Sequence, residues 1–325
     1  MSNTGIPAAF SPPERLLLGP GPSNAAPTVL DAMQHPLVGH LDPTFVGMME
    51  EIKSMLRHVF QTENEMTFPV SATGSAGMEA CFVNLLEPGD EVVILQPNYQ
   101  QLQGIIRSFG AKVTSVWLRA EDRWRPDLDA LEKAITPATK MVAVCNPNNP
   151  TGGVLTTEEM NRIAASAKKA DAWLLADEVY RGAELEGDIT PSFWNQYEKT
   201  IVNCGLSKAY GLPGLRIGWM ASTPELIAKA WAYHDYTTIC PTMTSDFLAQ
   251  EALRPERREK ILERTRGILR KNFPILKEWV KGHEDQFSMI APEAAAIALL
   301  GYNFDTPSQE LTEQLREKES LLVVP

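Results

Sequence analysis

Lys208 has the most reactive reading in this sequence. It stands in a Gly-rich loop, Gly205-Leu206-Ser207-Lys208-Ala209-Tyr210-Gly211-Leu212-Pro213-Gly214-Leu215-Arg216, directly after the apolar run Thr200–Cys204. A lysine there is either solvated or a desolvated amine able to form a Schiff base with a carbonyl compound. Asp177 closes another apolar run, Ala172–Ala176, and leads into Glu178-Val179-Tyr180. A carboxylate at the end of an apolar strand is partly buried and needs a cationic partner; a helix cap or a structural ion pair is the plainer alternative. Asn146-Pro147-Asn148-Asn149-Pro150-Thr151-Gly152-Gly153 follows the run Lys140–Cys145. Two Asn-Pro steps and a Gly pair make a rigid turn, with amides in defined places. Ser71-Ala72-Thr73-Gly74-Ser75-Ala76-Gly77 follows Thr67–Val70 and precedes a helical pattern. Free backbone N–H groups, the positive end of a helix dipole and Ser/Thr hydroxyls converge there as an anion site, or simply as a strand-to-helix turn. The segment has neither G-x-x-x-x-G-K-[ST] nor a well-placed G-x-G-x-x-G, which argues against a nucleotide.

These segments need a scaffold that brings strand ends together. Short apolar runs predict strands at Thr67–Val70, Glu91–Leu95, Lys112–Trp117, Lys140–Cys145, Ala172–Ala176, Thr200–Cys204 and Arg216–Met220. Helical spacing between them predicts helices at Met78–Leu86, Gln100–Phe109, Leu128–Ile135 and Thr157–Lys169. An earlier helix opens at Asp42-Pro43 and runs through Phe45, Met48, Met49, Ile52, Met55, Leu56, Val59 and Phe60. Alternation at this pace means a mainly parallel sheet with helices on both faces, an α/β architecture whose ligands bind at the carboxyl ends of the strands. A long helical stretch is predicted from Pro224 to about Gly282. Beyond it lie strands near Phe287–Ile290 and Ala295–Leu300, a helix at Gln309–Lys318 and a strand at Leu321–Val324. Residues 1–24, rich in Pro and Gly, read as an extended entry segment.

The chain has 325 residues, 44% hydrophobic and 22% charged, which is globular composition and suggests about two domains. Its 30 Lys and Arg against 41 Asp and Glu give a formal charge of −11, which argues against nucleic acid and anionic membrane as partners. Cys81, Cys145, Cys204 and Cys240 have no C-x-x-C spacing, and the N-terminus has no leader pattern. A reduced, cytoplasmic protein without a membrane span is expected. His35, His40, His58, His234 and His283 show no metal spacing, and Met48, Met49 and Met55 read as core.

Taken together, the four segments resemble the pyridoxal-phosphate enzymes of fold type I. Asn149-Pro150-Thr151-Gly152, then Asp177-x-x-Tyr180, then Ser207-Lys208 with Arg216 eight positions on, match the class I/II aminotransferases in order and spacing from about Glu91 onward. The first ninety residues are similar instead to class V alanine–glyoxylate and serine–pyruvate aminotransferases. Gly19-Pro20-Gly21-Pro22, Gly39-His40-Leu41-Asp42-Pro43 and Ser71–Ala80 running to Asn84-Leu85-Leu86-Glu87-Pro88-Gly89-Asp90 carry that likeness. The change of character falls near Pro88–Gln96 and reads as a mosaic of two related branches.

The resemblance implies a three-layer α/β/α large domain at 42–270 with a mainly parallel seven-stranded sheet. A smaller α+β domain at 271–325 and an N-terminal segment at 1–41, packing on the small domain or a dimer partner, would complete it. It implies pyridoxal 5'-phosphate as cofactor, amino acids and 2-oxo acids as substrates, and a homodimer with the active site at the subunit boundary. Lys208 would form the Schiff base and, once freed, act as general base. Asp177 would face the pyridine nitrogen, and Asn149 and Tyr180 the phenolic oxygen. Tyr99, in Gln96-Pro97-Asn98-Tyr99, would stack on the ring. Thr73, Gly74 and Ser75 would take the phosphate, Arg216 would add a forked contact and Ser207 a hydroxyl. Gly205 departs from the pattern, standing three before the lysine where many relatives have a phosphate-binding Ser. The resemblance also implies a longer C-terminal segment carrying a carboxylate-binding Arg, so poor transamination is expected of the chain as it stands. A β-lyase, cyclase or racemase on the same cofactor, or an inactive cofactor-binding protein, are the competing readings. A DNA-binding regulator and a nicotinamide dehydrogenase fit worse.

Overall fold

The computed structural model describes residues 42–65, 67–70, 74–234, 236, 240–319, 321 and 323–325. The entry segment at 1–41, with the class V-like motifs inside it, and Thr73 lie outside the described residues.

Helix α1, Pro43–Phe60, starts where local chemistry dictates. Asp42 accepts a hydrogen bond from Thr44 N at 2.8 Å, and Pro43 fills the first turn. Its buried face is Phe45, Met48, Ile52, Leu56 and Phe60, one residue per turn. Seven strands follow: β1 Pro69–Val70, β2 Glu91–Gln96, β3 Lys112–Trp117, β4 Thr139–Cys145, β5 Trp173–Asp177, β6 Thr200–Gly205 and β7 Gly218–Ala221. The helices between them are α2 Gly74–Leu85, α3 Gln100–Ser108, α4 Leu128–Ala134 and α5 Thr157–Lys169. Helix α5 opens with a capping box: Thr156 Oγ1 accepts from Glu159 N, and Glu159 Oε2 accepts from Thr156 N.

The sheet order is β1-β7-β6-β5-β4-β2-β3. β2 to β6 run parallel, while β7 is antiparallel to both β6 and β1. Alternating residues divide the core. Val93, Val142, Leu174, Ala176 and Val202 face α1 and α5, while Val92, Ile94, Ala143, Leu175 and Ile201 face α2 and α3. This is the expected three-layer architecture, and all seven predicted strands are present.

The differences lie at element ends and beyond the sheet. β7 begins at Gly218 rather than Arg216, because a 3-10 turn at Pro213–Leu215 and a left-handed Arg216 (φ 54°) postpone it. The predicted helical stretch after Pro224 is three helices: α6 Pro224–His234, α7 Met243–Leu253 and α8 Pro255–Lys281. Pro255 separates the last two. α8 then runs unbroken through Pro274 to Lys281. A two-stranded antiparallel sheet of β8 Phe287–Met289 and β9 Leu300–Tyr302 follows, then α9 Ser308–Glu319. The strand predicted over Ala295–Leu300 is displaced to Leu300–Tyr302. Ala294 bridges to Glu184 instead, and Ala295 turns left-handed at φ 71°. The strand predicted at Leu321–Val324 does not form at Leu321, Val323 or Val324, and Leu321 N donates back to Leu315 O.

Candidate active site

The carboxyl ends of β2, β4, β5 and β6 converge with the start of α2, and most of the predicted site residues stand there. Tyr99 follows β2 as the residue before α3. Asn149 lies half-buried in the loop after β4. That loop is knotted on itself: Asn148 N donates to Gly153 O, Gly152 N to Asn148 O, and Asn148 Nδ2 to Thr151 Oγ1 at 2.9 Å. Asp177 is the last residue of β5 and 2% exposed. Tyr180 lies in the turn behind it, buried, with its hydroxyl enclosed and without a hydrogen-bond partner.

Ser207 and Lys208 occupy the loop after β6. Ala209 N donates to Val179 O and so ties this loop to the turn that carries Tyr180. Ser207 Oγ is also enclosed without a partner. Gly74 and Ser75 open α2, whose first N–H groups have no acceptor within the helix itself. Gly205 has a physical reason to be Gly: a Cβ there would stand 3.0 Å from Ile217 O and 3.5 Å from Gly74 N. A Ser there, as many relatives have, would require the Ile217–Gly218 backbone to give by a few tenths of an ångström. Arg216 is on the same rim but exposed, and its Nη1 donates to Pro213 O at 2.8 Å.

The electrostatics couple the two central groups. Burial pushes the Asp177 carboxyl up to about 6, opposed by the Val179 N–H, the charge of Lys208 and the side chain of Asn203. Burial also pulls the Lys208 ammonium below its ordinary value, opposed by Asp177 and reinforced by Arg216. Tyr180 is raised by its burial and by the neighbouring Cys145, Asp177 and Tyr99. Asp177, Lys208, Arg216, Tyr180 and Tyr99 therefore share one electrostatic environment.

Several contributors went unnamed in the sequence reading. Glu178, buried beside Asp177, accepts from Ser192 Oγ at 2.9 Å and Phe193 N at 2.8 Å, and burial raises it to about 7. Gln101 Nε2 donates to Ser75 O at 2.8 Å and ties α3 to the start of α2. Asn203, in mid-strand, is completely buried. Its signal was available as the one amide in the apolar run Thr200–Cys204. On the far side, α8 reaches the lysine loop through Arg258 Nε, which donates to Tyr210 Oη at 2.9 Å.

Comparison with known proteins decides the family. Residues 43–325 match the family model described as aminotransferase class I and II. The chain belongs to the class I and II aminotransferases. It is 30% identical over 281 residues to the aspartate/prephenate aminotransferase of Thermus thermophilus, covering 85% of this chain and 72% of that protein. The aromatic-amino-acid aminotransferase 2 of Thermococcus litoralis is 29% identical over 245 residues, 74% of this chain and 62% of that one. A solved pyridoxal-phosphate-dependent aminotransferase from Streptococcus suis superposes with a TM-score of 0.80 at 32% identity, covering 92% of this chain and 78% of its own. The match begins at residue 43, so the class V-like stretch Ser71–Asp90 falls within the class I and II model.

As a member of this family the protein is a fold type I, pyridoxal-phosphate-dependent aminotransferase. The residues present suit that cofactor. An amide-bearing helix start suits a phosphate, a buried acid suits a ring nitrogen, and two enclosed, unpartnered hydroxyls suit further acceptors. Among the described residues no helix is long and apolar enough to cross a membrane, and no group of three or more His, Cys, Asp or Glu is placed to hold a metal.

Proposed function

We propose that transamination by this chain runs on Lys208, with Asp177, Tyr180 and Asn149 setting the charge state of the cofactor. The observation that carries this is the coupled pair itself. A buried carboxyl and a half-buried amine stand on adjoining strand ends, each perturbing the other.

Pyridoxal phosphate, when bound, supplies an electrophilic carbon and a ring that accepts the electron pair of the substrate's Cα–H bond. Lys208 would hold the cofactor through its ε-amine and, when freed by the substrate's amine, Lys208 Nζ would be the base that carries the α-proton. Its lowered pKa serves this role, because only the neutral amine is a base. Asp177 would hold a proton on the ring nitrogen by its negative charge. Tyr180 Oη and the Asn149 amide would donate to the phenolic oxygen, and Tyr99 would cover a ring face. The first amides of α2, with the Thr73, Ser75 and Ser207 hydroxyls, would take the phosphate, and Arg216 would add positive charge at the rim.

The substrates are an α-amino acid and a 2-oxo acid. Relatives named for aspartate, prephenate and aromatic amino acids place dicarboxylic and aromatic acids first in a substrate panel. We further propose a cytoplasmic homodimer, with the large and small domains divided near residue 270. Borohydride reduction followed by peptide mapping tests the core of this reading. The label is expected on Lys208, and Lys208→Ala should lose both the label and roughly a thousandfold in turnover. A label on any other residue overturns it.

A further inference from the structure

The row of side chains beneath the site holds a group with no assigned task. Cys145 on β4, Asp177 on β5, Asn203 on β6 and Met220 on β7 are register partners across four neighbouring strands. In-register residues on adjacent strands point to the same face, here the face covered by α2. Cys145 and Met220 are what such a buried row calls for. Asn203 is not: it is 0% exposed, and neither Nδ2 nor Oδ1 has a hydrogen-bond partner. A buried amide left unsatisfied is retained only against a steady cost.

The helix above is shaped to admit it. A Cβ at Gly74 would stand 3.2 Å from Asn203 Nδ2, and any side chain at Gly77 would collide with Asn203 Oδ1. Two glycines in the first turn of α2 thus leave space for an amide wedged between that turn and the Asp177 carboxylate. The Asn203 backbone also serves the site, its carbonyl accepting from Glu178 N at 2.8 Å.

We propose that Asn203 is a positioning residue, its amide donating to Asp177 and holding that carboxyl ionised and aimed at the ring nitrogen of the cofactor. Asn203 Nδ2 stands short of hydrogen-bond geometry to Asp177, yet its side chain lies close enough to lower that carboxyl. The proposal rests on the reading of Asp177 given above. Other ionisable groups around Asp177 are Lys208, Glu178, Tyr180, Cys145 and Cys204. Burial raises the thiols and the phenol, so they stay neutral from pH 5 to 8. Lys208 and Glu178 are the same in every variant compared.

Asn203→Val and Asn203→Thr provide the test, since they share shape and differ in one hydroxyl donor. The first readout needs no cofactor: thermal stability of the apo-protein at pH 5 and pH 8. Without a donor the carboxyl is harder to ionise, so Asn203→Val should lose more stability on going to pH 8 than Asn203→Thr. That difference should vanish in an Asp177→Asn background. The second readout is the dissociation constant of pyridoxal phosphate by absorbance titration. It should weaken about tenfold in Asn203→Val and within about threefold in Asn203→Thr, the scale of one hydrogen bond to a charged group. Equal pH dependence for Val and Thr overturns the proposal, whatever the affinities do. If pH dependence separates the pair but affinity does not, the cofactor-facing role of Asp177 is what fails. Should either variant not fold, Asn203→Ser against Asn203→Ala repeats the comparison at smaller volume.

Discussion

At the scale of single residues, the candidate site is a set of buried groups held away from their ordinary protonation states. Such perturbation is frequent where chemistry occurs but does not itself define a site. Asp246 illustrates the distinction. It is 0% exposed on α7, both carboxyl oxygens lack partners, and burial raises it to about 7. Among the described residues no cation offsets its burial, whereas Lys208 offsets that of Asp177. Asp246 therefore behaves as a stability liability. Its folded value lies above its unfolded value, so the penalty is absent below about pH 4 and grows as pH rises toward 7 and beyond. Asp246→Asn should leave stability at pH 4 unchanged. At pH 8 it should raise stability by a few kcal/mol, up to about 4 from the size of the shift. Denaturant titrations at the two pH values check this. Equal effects at both would mean that Asp246 is ionised and paired in the folded state.

At the scale of elements, the loop holding Asn149 is fastened from a distance. Glu293 N and Ala294 N both donate to Gly152 O, at 2.9 and 3.0 Å, and Val154 N donates to Glu293 Oε2 at 3.0 Å. Arg125 joins in, bonding to Val154 O, Glu293 and Glu159. Gly152 has φ 68°, and a Cβ there would meet Pro292 and stand 2.8 Å from Ala294 O. Gly152→Ala should cost about 2 kcal/mol or more, from left-handed strain and the clash together. It should also weaken cofactor binding by shifting Asn149. Urea denaturation and an absorbance titration measure the two effects; unchanged affinity would show that the clasp does not set the position of Asn149. Asn-Pro-Thr-Gly was legible as a rigid loop because its turn chemistry is local. The sheet was legible for a similar reason, since fully buried parallel strands write themselves as apolar runs. The clasp was not legible. It joins Gly152 to Glu293 and Ala294, and residues so far apart in sequence leave no periodic signal. The misplaced strand at Ala295–Leu300 has the same origin: an apolar run reads as a strand until a left-handed Ala295 and the tie to Gly152 claim its start. Asn203 was legible only as an oddity, its meaning depending on which strand lay beside it.

At the scale of the molecule, the raised acids act together. Asp177, Glu178 and Asp246 go to about 6, 7 and 7, from ordinary values near 4. Between roughly pH 4 and 7 these three acids hold more protons in the folded chain than in the unfolded one, so their contribution to apo-protein stability falls as pH rises through that window. Lys208 takes no part in that fall. Its depressed value means that the folded state disfavours the ammonium, a penalty that is constant while both states carry the charge and is relieved as pH rises from the folded value toward the unfolded one. The cofactor's ring nitrogen, brought against Asp177, would reverse one of these contributions by giving the carboxylate a cationic neighbour. Binding also stabilises by mass action, about 2.7 kcal/mol at a hundredfold excess over the dissociation constant. The cofactor-loaded protein should therefore melt higher than the apo-protein at every pH. The gap should widen from pH 5 to pH 8, because ionising Asp177 costs less in the loaded form. Asp177→Asn should keep part of the gap and lose its widening. Thermal melts of both forms across that range decide the matter; a gap constant with pH in the unsubstituted protein would place the ring nitrogen elsewhere than at Asp177.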